Sequence, residues 1–312
     1  MKRRDFLRSA CYGTLAAGVI PRNLFGEEPV PKVAITIDDM AFHANPLKTW
    51  AAMTDGLLNA LKKHSLHAAI FVAGRNVDKP EGKRILRSWN DAGHVIANHT
   101  YSHRNFHAPE ISVDAETRDI IKGERIIQGY SNFTRLFRFP MLKEGDTVTK
   151  RDALRSFLKQ RGYRIGHVTI DTSDWYIDQR FREKLARDPQ ADTTRYRDYY
   201  LEHILKCSKY YGDLSQKIAG RSIKHTLLIH QNLLNALFLD DVLTMYKRNG
   251  WGLVDAREAF EDPVFASLPK TVPAGESLIW ALAKESGKYD DVLRYPSESW
   301  EYERKQMDEY GL

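Results

Sequence analysis

Val33-Ala34-Ile35-Thr36-Ile37-Asp38-Asp39 decides how the rest of the 312-residue chain is read. An apolar, β-branched run of this length reads as a buried strand. The two carboxylates that end it then stand at the carboxyl-terminal edge, where parallel sheets keep their sites. Side by side at a rim they repel, and one rises in pKa unless a cation or a basic side chain shares the position. The stretch therefore asks for a metal ion or an arginine nearby. Taken alone, an Asp-Asp pair reads more readily as a solvated turn or a helix cap after a strand, so the partners elsewhere in the chain decide.

Outward from this strand the pattern repeats. Leu47 to Lys63 carries apolar residues at helical spacing, Ala68 to Ala73 reads as a second strand, and helices near 81–92, 113–129 and 152–160 alternate with strands at 94–97, 136–139 and 165–170. Further strands fall at 226–229 and 252–254. Strands alternating with helices in this way predict an α/β fold with a parallel sheet, closed or nearly closed into a barrel.

The third strand ends in Asn98-His99-Thr100-Tyr101-Ser102-His103. Two imidazoles four residues apart share one face if the chain makes a helical turn there, which suits two ligands of one tetrahedral ion. The chain holds eleven histidines; His43, His64, His67, His94, His107, His167 and His225 read as solvated or packed. The fourth strand ends in Arg138-Phe139-Pro140, where Arg138 is either a surface residue or the fixed cation that keeps one Asp ionised. Pro140 stiffens the loop and leaves the Met141 N–H to face a ligand. The fifth strand ends in Asp171-Thr172-Ser173-Asp174-Trp175 and the sixth in Leu227-Leu228-Ile229-His230. Asp174 is placed to orient His230 and favour its imidazolium, and Trp175 to wall a pocket.

The remaining sequence sets bounds. A hydrophobic content of 42% with 28% charged residues is globular, and no apolar run is long enough to span a membrane. Lys2-Arg3-Arg4-Asp5-Phe6-Leu7-Arg8 with the mildly apolar stretch after it resembles a twin-arginine signal, which predicts export to the periplasm or beyond, with retention by an uncleaved signal left open. Residues 1–26 hold a net +4 of the total +6, so the pI of 9.1 makes no case for nucleic acid. Cys11 falls in the signal and Cys207 is left without a disulfide partner. The expected organisation is a signal over 1–28, a catalytic domain over 29–262 and an extension over 263–312.

The five strand-end stretches, from Thr36-Ile37-Asp38-Asp39 to Leu228-Ile229-His230, occur in the order that characterises the polysaccharide deacetylase (NodB-homology) family of carbohydrate esterases, which the chain resembles over roughly residues 30–260. The resemblance implies a distorted (β/α)7 barrel and metal-dependent removal of acetyl groups from carbohydrate. It implies that Asp39, His99 and His103 hold a divalent ion, Zn2+ foremost with Co2+ or Ni2+ as substitutes. Asp38, kept ionised by Arg138, becomes the base, and His230, kept protonated through Asp174, becomes the acid. The Met141 N–H is the candidate oxyanion donor, and Trp175, Pro140 and Met40 are candidate substrate contacts.

Two departures stand out. The family's first motif usually continues into Gly, where this chain has Met40, and its third has Gly soon after Pro, where Met141 to Glu144 intervene before Gly145. Met40 is thus expected to crowd the groove. The partners implied are an acetylated extracytoplasmic glycan and the twin-arginine export machinery. An O-acetyl esterase, a non-sugar amide hydrolase of the same fold and a non-catalytic glycan-binding relative are the alternatives. Between Trp175 and Thr226 the tyrosines 196, 199, 200 and 211 share a helical face that reads as core contact or as a sugar platform.

Overall fold

The structure, a computed structural model, describes residues 30–294 and 299–312. The twin-arginine pattern and Cys11 lie outside them. From the amino-terminal side, β1 (Lys32–Asp39), α1 (Trp50–Lys63), β2 (Ala69–Val72), α2 (Gly74–Val77), α3 (Pro80–Asp91) and β3 (Val95–Asn98) come first. Next follow α4 (Val113–Ile127), β4 (Phe133–Phe137), β5 (Lys143–Gly145), α5 (Val148–Gln160) and β6 (Arg164–Ile165). The second half holds α6 (Asp174–Arg187), α7 (Thr194–Ala219), β7 (Lys224–His230), α8 (Leu233–Arg248), β8 (Gly252–Leu253) and α9 (Ala256–Ala259). It ends in β9 (Ala274–Gly275), α10 (Leu278–Ser286) and α11 (Trp300–Tyr310).

The strands form one parallel sheet in the order β6-β4-β3-β2-β1-β7, with β8 joining the start of β1. β1 is buried on both faces, Val33 to Ile37 being almost fully enclosed, as the apolar run predicts. Register then carries the strand ends to a common rim. Asp38 pairs with Phe71 and His230, Val72 with Asn98, and Asn98 with Phe137. His99 and Arg138 each follow the last residue of a strand, so they emerge beside the two Asp residues.

The expected continuous strand over 165–170 is instead broken. The chain pairs with β4 only through Arg164 and Ile165, then rejoins the sheet at Ile170, which bridges Leu227 of β7. Gly166 explains the break, because its backbone passes against the Phe71 ring where a Cβ would collide with Cζ. The bridge at Ile170 nonetheless links the β6 edge to β7, so the sheet rounds into a distorted (β/α)7 barrel. The fourth strand lies slightly earlier than expected, at Phe133–Phe137, which leaves Arg138 to Pro140 as rim loop.

The α7 tyrosines settle as core: Tyr196, Tyr199, Tyr200 and Tyr211 are all buried. Residues beyond 262 also pack on the barrel. β9 pairs antiparallel with β5, and Leu278, Ile279 and Met307 share the apolar cluster that contains β1.

Candidate active site

Seven of the nine non-glycine residues with positive φ among the described residues lie at this rim: Asp39, Met40, Thr100, His103, Met141, Leu142 and Ser173. Left-handed backbone is disfavoured for residues with a Cβ, and it persists where surrounding bonds over-determine it. The turn after β3 shows how. It is not the expected helical turn, because Thr100 and His103 are both left-handed. Thr100 N donates to Asn98 Oδ1 at 2.9 Å, and His103 N donates to Thr100 Oγ1 at 3.0 Å. Asp119 of α4 accepts from Tyr101 N, Ser102 N and Ser102 Oγ at 3.1, 2.7 and 2.8 Å. The two imidazoles converge through this loop, their ring centroids 5.0 Å apart.

Their target is Asp39. Its Oδ1 lies 3.3 Å from His99 Nε2 and 3.0 Å from His103 Nε2, and one ligand atom from each of the three residues falls within 4.8 Å of the others. His99 Nδ1 donates to the Arg138 carbonyl at 2.8 Å, so in the neutral ring Nε2 carries the lone pair. That lone pair and the Asp39 oxygen then face one another without a hydrogen, and both atoms are buried without a hydrogen-bond partner. Such an arrangement calls for a cation between them. Ligands held about 2.0–2.1 Å from a tetrahedral Zn2+ stand roughly 3.3 Å apart, which matches the spacing of this donor set. The residues present therefore fit a divalent ion. Burial pushes the Asp39 carboxyl up, but the charge of His103 beside it more than offsets this and holds it well below the usual carboxylate range.

Asp38 and His230 flank the three ligands. Arg138 Nη1 donates to Asp38 Oδ1 at 2.6 Å and to Thr36 Oγ1 at 3.0 Å, while Nε donates to the Gly166 carbonyl at 2.8 Å. The guanidinium rests on the Phe71 ring, 3.9 Å from its centroid. Burial depresses the Arg138 pKa, opposed by the Asp38 charge. The cation expected at the rim is thus a fully enclosed partner of Asp38. On the other side, His230 Nδ1 donates to Asp174 Oδ1 at 2.7 Å. Asp174 Oδ2 accepts from His230 N, Asn232 Nδ2 and Asn235 Nδ2 at 2.9, 2.9 and 2.7 Å. Burial pulls the imidazole pKa down, yet the Asp174 charge and hydrogen bond win and raise it well above the usual value.

Asp38, Asp39, His99, His103, Met141, Trp175 and His230 line one cavity of about 380 Å³. Arg138 and Asp174 stand behind it. Two expectations fail. Met40 does not crowd the groove: it is fully buried in the core, because consecutive left-handed residues at 39 and 40 turn its side chain beneath the rim. Pro140 is buried too and does not line the cavity, whereas Met141, left-handed and exposed, does.

Other groups escaped the sequence reading. His43 lines the cavity rather than lying idle on the surface, and α6 contributes Asp178 and Arg182. The α6 residues were findable, since 175, 178 and 182 fall on one helical face once Trp175 is placed. His43, in the loop after β1, carries no such signal. Deeper in, Cys207 is buried beside His203 and Arg294.

The sequence model of the polysaccharide deacetylase family matches residues 26–165. A curated peptidoglycan-N-acetylglucosamine deacetylase from Bacillus cereus is 31% identical over 125 residues, 39% of this chain and 41% of that protein. The chain thus spans less than half the length of that relative. Among solved structures, a mutant of a CE4 family pseudoenzyme with restored enzymatic activity superposes with a TM-score of 0.52 at 22% identity, over 76% of this chain and 70% of that one. The wild-type pseudoenzyme, from Bacillus anthracis, gives 0.51 at 21%, over 76% and 67%. A mutant of the peptidoglycan deacetylase PdaC from Bacillus subtilis gives 0.50 at 22%, over 75% and 91%. At these identities the structures establish the shared fold alone, and the sequence match to the polysaccharide deacetylase model covers residues 26–165, just under half of the chain.

Proposed function

We propose that the protein is a metal-dependent hydrolase that removes acetyl groups from an acetylated carbohydrate, N-acetyl groups of an extracytoplasmic glycan before all. Fold neighbours described as pseudoenzymes share this architecture, so the reading rests on the site. Its main support is a pairing at the rim: Asp38 and His230 are register partners on adjacent strands and both line the cavity, each backed by a buried residue of opposite charge.

A divalent ion held by Asp39, His99 and His103 supplies Lewis-acid polarisation and an acidified water when bound; Zn2+ suits two imidazoles and one carboxylate, and Co2+ or Ni2+ would also be accepted. Asp38 acts as general base, fixed by Arg138 with one oxygen occupied and the other, 3.6 Å from His99 Nε2, turned toward the three ligands. His230 acts as general acid and gives its Nε2 proton to the departing amine, while Asp174 keeps the opposite nitrogen engaged. The Met141 N–H is the proposed donor to the developing oxyanion, and Trp175 the wall against which the sugar lies.

Acetate release tests this reading. Chelated protein should be silent on N-acetylglucosamine oligomers, peptidoglycan and acetyl-xylan; added Zn2+ should restore release from at least one of them, and Asp38→Asn should abolish it. Preference for acetyl-xylan would make the enzyme an O-acetyl esterase. Metal binding without turnover of any substrate would make it a glycan-binding relative. The Lys2–Arg8 pattern supports delivery by the twin-arginine machinery, which replacement of both Arg3 and Arg4 by Lys should block, leaving the protein in the cytoplasm.

A further inference from the structure

The cavity over the three ligands does not stop at them. A second hollow of about 300 Å³ shares Asp39, Ala41, His43 and His103 with it and continues toward α2. The two together form one groove with the Asp39, His99 and His103 cluster near its middle. Its walls carry three cations outside the catalytic set. Arg182 lies on the α6 side, and Arg75 and Lys79 on the α2 side.

Arg75 and Lys79 have no acidic partner among the described residues, whereas Arg182 is ion-paired with the buried Asp178 through one edge of its guanidinium only. Arg182 Nε donates to Asp178 Oδ2 at 2.6 Å, and Asp178 Oδ1 accepts from Leu234 N at 3.0 Å. Both Asp178 oxygens are therefore occupied in anchoring α6 to α8 and holding one edge of the guanidinium. Among the described residues the two Nη groups of Arg182 have no protein partner, which leaves a pre-oriented edge suited to bidentate contact with a carboxylate. Burial lowers the His43 pKa and the Arg182 charge lowers it further, opposed by the charges of Asp178 and Asp39. Arg75 and Lys79 are exposed and have no acidic partner among the described residues; the Lys79 ammonium sits 5.0 Å from the Trp50 ring centroid. Lys83 nearby does have one, Asp78, so an acidic side chain was within reach of this helix turn and was not used on Lys79.

We propose that this groove selects a carboxylate-bearing acetamido glycan, with Arg182 meeting an acid on one side of the reacting sugar and Arg75 and Lys79 meeting one on the other. The proposal rests on the deacetylase reading and narrows its substrate. The carboxylate has two sources in such polymers, a uronic acid unit or a lactyl ether on the sugar. Both present the same group to the same cations.

The experiment uses Zn2+-loaded protein and four N-acetylated oligosaccharides of matched length: one with uronic acids, one with lactyl ethers, and the neutral amide form of each made by capping the acids. Acetate release should favour an acidic form over its own neutral form by about tenfold or more in kcat/KM, carried mostly by KM, and the preference should shrink as ionic strength rises. The ratio should collapse toward one in Arg182→Gln combined with Arg75→Gln and Lys79→Gln, and survive in part in Arg182→Lys. The acid that shows the preference names the source. Calorimetry with Asp38→Asn protein and the same ligands reads the discrimination without turnover. Equal turnover of acidic and neutral forms would overturn the proposal and leave the hydrolase standing. No release from any oligosaccharide would bring down the hydrolase reading, and a preference in its catalysis with it.

Discussion

Replacing Asp174 by Asn removes a charge while keeping the shape of a side chain that is 1% exposed. Its carboxylate is the reason His230 stays protonated above its ordinary range, in spite of the burial that pulls the imidazole down. With the two charge centres about 4 Å apart and an effective dielectric near 20, the lost attraction is about 4 kcal/mol, which lowers the imidazole pKa. That loss favours the neutral ring of His230. The alkaline limb of the kcat/KM profile should move acidward. Release at pH 8 should fall by about 100-fold or more, with part of it regained on acidification. The amide must also place an NH2 among donors from His230, Asn232 and Asn235, at a cost of about 1–3 kcal/mol in stability, so a melting curve should accompany the kinetics. NMR titration of the His230 ring in metal-free protein gives the shift without any substrate. A uniform loss of rate with the limb in place and the ring titration unmoved would refute the assignment of Asp174 to proton control.

Gly123→Ala should weaken the metal site from behind, since its Cβ would lie 2.7 Å from the Thr100 carbonyl and 2.8 Å from Asn98 Oδ1; the expected cost is about 1–3 kcal/mol in stability with lower Zn2+ affinity, read by melting and calorimetry. Zn2+ at 100 times its Kd should raise the folded protein's stability by about 2.7 kcal/mol, and Asp39→Asn should erase the effect; an equal rise in the variant would move the metal elsewhere. Acid should destabilise the fold well before carboxylates titrate. Burial drives His94 down to about 4, and His167 and His225 down to about 3, below the unfolded value near 6.5. Below pH 6.5 the unfolded chain takes up protons that the folded one refuses, so stability falls as pH drops, by up to about 2 kcal/mol per histidine between 6.5 and 5. Urea midpoints at pH 7 and 5 measure this, and His225→Gln should flatten the slope.

The parts of the fold that were legible in the sequence are those where one physical demand acts alone. β1 had to be apolar because it is enclosed on both faces, and Arg138 was placed correctly because two adjacent carboxylates at a rim need a cation. What escaped depends on backbone that side-chain patterning does not encode. His99 and His103 were paired through an assumed helical turn, and their real convergence comes from left-handed residues pinned by Asp119, an acidic residue with nothing in its surroundings to single it out. Met40 was assigned to the groove from its place after the two Asp residues, and the same kind of turn sends it inward instead. The break at Gly166 likewise follows from a close approach to Phe71, a contact between residues far apart in the chain.

The two halves of the candidate site lie on different sides of a boundary in the sequence. Asp38, Asp39, His99, His103 and Arg138 all fall within the matched residues 26–165, whereas Asp174, Arg182 and His230 lie beyond them. Geometry treats the halves differently as well. The first half is locked, with Arg138 sealed between Asp38, Thr36 and the Gly166 carbonyl, where any change of side chain leaves a buried charge unpaired. In the second half Asp174 is equally enclosed while His230 reaches the cavity, and the rest of the α6 face opens onto the groove, where a change at residue 182 gives up the ion pair with Asp178 but leaves Asp174 and His230 paired. A chain that keeps the shared chemistry while adopting its own substrate has most freedom on this face. Substrate preference should therefore follow exchange of the α6 groove residues between relatives, and metal affinity should not.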